Sequence, residues 1–181
     1  MSRLPELAPD KLTPEQKKVR DEIAAARSGQ ARGPFGIWLR VPRIADAANR
    51  LGNAVRQKST LEPRLFELMV LVCARHWKAN YAWGVHAAAG EKAGLAPAVI
   101  EAIRTRKTPD FQREDERLIF ETVSELLDKR ALSPASYDRA LAALGQELLI
   151  ELVAAIGFYN MVGITLATFE VEATDGGRPL A

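Results

Sequence analysis

Glu67, Cys73, His76, Tyr81, Trp83 and His86 fall within 20 residues of one another and hold most of the chain's uncommon polar and aromatic side chains. A carboxylate and an imidazole in one neighbourhood are the parts of general acid–base chemistry: imidazole exchanges a proton near neutral pH, and a carboxylate that accepts its other ring proton fixes the tautomer. At about 100° per residue, Ala79, Ala82 and His86 share one stripe of a helix, roughly 60° wide, so whatever faces that stripe meets His86. Thiol chemistry is poorly provided for. A peroxide-reducing dithiol needs one thiolate to attack and a second thiol to resolve the sulfenic acid, and Cys73 is the sole cysteine.

Each of these residues also has a plain structural reading. Glu67 stands inside an apolar run, where a carboxylate persists only when paired, so it is either a buried ion-pair partner of an arginine or the group that orients His86. Cys73 in VLVCAR reads as a small buried hydrophobe, and His76 as structural or exposed. Tyr81 and Trp83 read as pocket wall whose polar tips want partners. Tyr159 and Asn160 lie on an apolar stretch with Gly157 and Gly163 that tight helix packing explains equally well, and they receive no catalytic role. Two histidines per chain leave a metal site open only through residues of neighbouring subunits; within one chain no metal is expected.

The elements that position this cluster read as helices. Thr13 caps a helix running to Arg27 that ends near Ser28 and Gly29, with Pro14, Glu15 and Gln16 in its first turn. Residues 29–43, GQARGPFGIWLRVPR, form a loop anchored by Phe35, Ile37, Trp38 and Leu39, which should cover something. Residues 44–57 place Ile44, Ala47, Ala48, Leu51 and Val55 at helical spacing. Leu61-Glu62-Pro63 opens RLFELMVLVCARHW, residues 64–77, apolar almost all round and so buried on several sides. NYAWGVHAAAGEKAG, residues 80–94, ends on Gly94, and Pro97 opens a short helix. An amphipathic helix follows over REDERLIFETVSELLDKR; Ser133 and Pro134 begin another that Gly145 stops, and residues 146–169 make a long apolar final helix. No period-two alternation bounded by hairpin turns appears, so the fold class is all-α, a helical bundle.

With 181 residues, one domain over residues 1–171 is expected, followed by a mobile polar tail over 172–181. A formal charge of +2 spread along the chain offers no concentrated patch for nucleic acid. The N-terminus lacks the apolar core of a secretory signal, and no stretch reaches the roughly 20 apolar residues that span a bilayer. The expected setting is therefore cytoplasmic, without membrane or nucleic-acid partner. The apolar final helix and loop argue for self-association.

The stretches ELMVLVCARHWKANYAWGVHAAAGEKAGL, residues 67–95, and ELVAAIGFYNMV, residues 151–162, resemble the carboxymuconolactone decarboxylase and alkylhydroperoxidase superfamily, and the resemblance extends roughly over residues 30–170. In its alkylhydroperoxidase members a Glu precedes a Cys-x-x-Cys pair and a His follows the second Cys at i+4. Glu67 and His86 match the Glu and His; Ala79 and Ala82 stand at the two Cys places, and Cys73 at neither. The resemblance thus implies a branch without dithiol peroxidase activity. Tyr81-Ala82-Trp83 before His86 is similar instead to decarboxylase-type members. What that implies is a carboxy-lyase acting on a small carboxylated or lactone compound without metal or organic cofactor, with His86 as proton donor, Glu67 orienting it, and Tyr81 and Trp83 against the substrate. An arginine should hold the substrate carboxylate, with Arg75, Arg40 and Arg43 as candidates and Arg75 the one assigned. Superfamily members commonly form trimers or hexamers. The competing expectation is a non-catalytic oligomeric ligand-binding or scaffold protein that keeps the fold after losing its cysteines.

Overall fold

A computed structural model of the chain describes residues 2–26, 31–173, 179 and 180. It is all-helical, with no strand among the described residues. A single 3-10 turn, Pro9–Lys11, precedes the helices α1 (Pro14–Ala26), α2 (Pro34–Trp38), α3 (Pro42–Gln57), α4 (Pro63–His76), α5 (Asn80–Lys92), α6 (Pro97–Arg104), α7 (Glu114–Lys129) and α8 (Pro134–Thr168).

The local signals explain most of these limits. At the start of α1, the Gln16 amide donates to Thr13 Oγ1 at 3.2 Å and the Thr13 amide donates to Gln16 Oε1 at 3.0 Å, a reciprocal box that satisfies two otherwise unpaired donors. Its expected end at Ser28 and Gly29 lies outside the described residues. Gly94, at φ +90°, terminates α5: its amide bonds the Glu91 carbonyl while the Leu95 amide bonds that of Gly90, and this pairing turns the chain toward α6. Gly145 breaks α8 at φ 73° and ψ 170°, so the expected stop is present as a break between two helical segments.

Two expectations are corrected. Residues 29–43 are not wholly loop, because Pro34 opens the short helix α2; Phe35, Ile37, Trp38 and Leu39 are buried, and Trp38 Nε1 donates to Thr165 Oγ1 of α8 at 3.0 Å. On α3, Ile44, Ala47 and Leu51 face outward, whereas Ala45, Ala48, Gly52 and Val55 are buried. The small residues Ala45, Ala48 and Gly52 thus form the side of α3 that packs on α1 and α8.

Helix α4 is the axis of the bundle, with every residue from Arg64 to Arg75 buried, and it packs on α5, α6, α7 and α8. At Gly163 of α8 a Cβ would stand 2.5 Å from Trp77 Cδ1, so the indole lies directly on the helix backbone, and Trp77 Nε1 donates to Asn160 Oδ1 at 2.6 Å. Among its charges, Arg64 is buried at the foot of α4, donating to Glu62, Asp115 and Glu116 and joining the start of α7 to α4. By length and composition α8 is apolar enough to cross a membrane, yet half of its most apolar window is buried inside the bundle. Of the tail, residues 174–178 and 181 lie outside the described residues, while the Pro179 carbonyl accepts from Arg104 and the Leu180 amide donates to Asn80.

Candidate active site

Glu67 and His86 are brought together by the packing of α4 on α5. Both are buried, at 7% and 5% exposure, and His86 Nδ1 lies 2.6 Å from Glu67 Oε2. The stripe of α5 that carries His86 faces α4 as its spacing requires, with Ala79, Ala82 and His86 all buried. One turn beyond His86, Gly90 packs against α4, where a Cβ would stand in ordinary contact with Glu67 Cβ at 3.6 Å.

The two readings of Glu67 describe its two oxygens. While Oε2 meets His86, Oε1 lies 3.8 Å from Arg56 NH2 at the end of α3, a guanidinium 40% exposed in its side chain. Opposite, the Tyr159 ring of α8 meets the imidazole edge-on, centroids 5.3 Å apart at 87°, and is itself held by Phe66 and Phe158. A carboxylate, an imidazole, a guanidinium and a phenol ring thus converge from four helices. Such a group can orient the ring, compensate a positive charge on it, and leave Nε2 as the nitrogen through which it exchanges protons.

Of the remaining site candidates, Tyr81, Arg75, Arg40 and Arg43 do not converge here. Trp83, one turn before His86, is 2% exposed and packs in the core. Tyr81 sits on another side of α5 and lines a pocket of about 460 Å3 beneath the N-terminal segment. There Gly33, at φ +61°, presses its backbone on the Tyr81 ring, where a Cβ would come within 2.3 Å of Cε1. Arg75 lines a separate cleft, with Arg106 and Lys107, that neither Glu67 nor His86 enters. Arg40 spends its guanidinium on the Gly36 and Pro5 carbonyls, and Arg43 is exposed on α3. His76 is exposed, with its ring edge against Trp77.

Two members of the group escaped the sequence. Arg56 ends α3 and Glu67 lies just inside α4, across the connection 58–62, and only the packing of α3 reveals their contact; Tyr159 is visible as part of GFYN but not distinguishable from a packing residue. The thiol positions are equally informative. Ala79 caps the N-terminus of α5 and Ala82 lies in its first turn, where a helix N-terminus would favour thiolates. Cys73 lies on α4 instead, 1% exposed, its thiol pushed up to about 12 by burial.

No known family's profile matches the chain, and no curated protein sequence matches it. Among solved structures, the chain is similar to an uncharacterized peroxidase-related protein from Silicibacter sp. TM1040, with a TM-score of 0.75 and 15% identity over 94% of this chain and 91% of that one. At that identity the likeness concerns the fold, and it agrees with the alkylhydroperoxidase-like bundle that the sequence resemblance implied.

Proposed function

We propose that the chain is an enzyme similar to carboxymuconolactone decarboxylases, using His86 and Glu67 for acid–base chemistry on a small carboxylated or lactone compound. The observation that carries this reading is the 2.6 Å contact between His86 Nδ1 and Glu67 Oε2. An ionised carboxylate only accepts, so the proton between them sits on Nδ1, and Nε2 becomes the reactive nitrogen. In the decarboxylation, the bond from the ring carbon to the carboxylate breaks, CO2 leaves, and the electron pair spreads into a dienolate. The imidazolium then gives its Nε2 proton to carbon and recovers one from water, with Glu67 offsetting its charge in the buried setting.

Arg56 is better supported than Arg75 as the anchor for a substrate carboxylate, since it is partly exposed and already stands beside Glu67. Tyr159 supports the ring of His86 from the opposite side. A competing reading, a non-catalytic ligand-binding or scaffold protein, draws support from the near-complete burial of His86 and from the alanines at 79 and 82.

Self-association belongs to either reading. Ile44 and Leu51 of α3, with Val41 just before it, and Ile150, Val153 and Ile164 of α8 are exposed on two helices that pack side by side. Such an apolar band is best covered by a second copy of the chain, in the trimer or hexamer expected of the superfamily.

The test is a paired assay of wild type and His86→Ala on γ-carboxymuconolactone, followed by CO2 release, and on an organic hydroperoxide with a thiol reductant. Decarboxylation abolished by the substitution supports the proposal; no turnover of either compound by wild type favours the scaffold. Peroxide reduction by wild type would contradict the loss of dithiol chemistry.

A further inference from the structure

On α4, Val72 and His76 lie roughly 140° and 180° round from Glu67, with Arg75 between them and Glu67, roughly 80° from it and about two turns along the helix. These residues wall a cleft of about 470 Å3, completed by α6, the residues just after it, and α7. Its floor is apolar, from Ile103, Phe120 and Leu127, and its rim is cationic, from Arg75, Arg106 and Lys107. Against these three cations the lining sets Asp128, so positive charge is in excess even with His76 neutral.

Arg75 is the inner member of that rim, at 8% exposure. Burial first, then the guanidiniums of Arg106 and Arg104, press its pKa down. Arg104 has its charge met by Glu101 at 2.8 Å, whereas Arg106 and Lys107 are exposed at the cleft mouth. Like charges gathered above an apolar floor repel one another, and an anion lying between them would offset that repulsion; a guanidinium is suited to both carboxylate and phosphate through paired N–H donors. A floor of one aromatic and two aliphatic side chains suits an apolar body of ring size.

We propose that this cleft binds a small organic anion, its carboxylate or phosphate held between Arg75, Arg106 and Lys107 and its apolar body against Phe120 and Leu127. The site is independent of the Glu67–His86 pair, neither member of which lines it.

Phenyl phosphate, benzoate and the neutral benzyl alcohol, each titrated into the full chain and followed by amide chemical shifts in two-dimensional NMR, test both affinity and location. The expected result is saturable shifting of the Thr108, Phe120 and Ser124 amides by at least one anion, with benzyl alcohol about tenfold weaker or more. Phosphate alone or benzoate alone then identifies the class. The double variant Arg106→Gln, Lys107→Gln alters two exposed positions, so it should keep the native spectrum while weakening the anion about tenfold or more. Equal binding of benzyl alcohol, undiminished anion binding by the double variant, or no saturable shift by either anion up to about 10 mM overturns the proposal.

Discussion

Arg56 NH2 stands 3.8 Å from Glu67 Oε1, on the opposite oxygen from the one that meets His86. The carboxylate is thereby fixed from both sides, and the orientation of the imidazole follows from the packing of three helices. Glu67→Gln removes the charge while keeping the shape. In the proposed reaction it should lower kcat by about 10- to 100-fold, the scale typical of losing a partner that orients a histidine. Arg56→Gln should act chiefly on KM. Steady-state kinetics on the decarboxylation substrate separates the two, and equal effects on KM and kcat by both variants would remove the distinction.

Cys73 should be silent in the folded protein. Because burial pushes its thiol up to about 12, Ellman's reagent at about pH 8 should find no reactive thiol in the native chain and one equivalent after denaturation in urea. Prompt native labelling would show that α4 opens.

The Arg64 cluster should govern acid stability. The Arg113 and Arg64 guanidiniums hold the Asp115 carboxyl well below the usual carboxylate range. A carboxyl depressed by folding stabilises the protein above its unfolded pKa and loses that contribution as pH falls through the folded value. Melting temperature should therefore decline below about pH 4, and Asp115→Asn should flatten that decline. Arg64→Ala leaves Glu116 buried without its cation and should cost about 3–5 kcal/mol in urea unfolding at neutral pH.

Ile150, 61% exposed, lies on the apolar band of α8. Light scattering coupled to size exclusion should report an oligomer for wild type and a smaller species for Ile150→Glu. A monomeric wild type would count against self-association.

Much of this arrangement was readable because it is local. Thr13 with Gln16, Gly94, Pro63 and Gly145 act within a few residues, and the elements they delimit follow. The approach of Glu67 to His86 was also legible, through the resemblance of residues 67–95 to a superfamily in which a Glu and a His at these places act together. What was not legible depends on chain segments far apart in sequence. Ile44 and Leu51 looked like core because they are large and helically spaced, but the helix-to-helix distance selects Ala45, Ala48 and Gly52 for the interior. That Trp38 anchors its segment was legible, but not its partner Thr165, 127 residues away, which accepts from its indole. Proximity in sequence places Arg75 with the cluster, yet about two helical turns of α4 separate it from Glu67, and it lines a cleft that neither Glu67 nor His86 enters.

The break at Gly145 has a dynamic consequence. Upstream of it, from Pro134 to Leu144, Ala140 is the one buried residue, whereas the segment beyond is anchored repeatedly in the core. An arm held so lightly opens at a lower free energy than the bundle. Its amides should exchange deuterium early, through local fraying, while those of the central α4 wait for global unfolding, so the two segments of α8 belong to two regimes of stability that meet at one glycine.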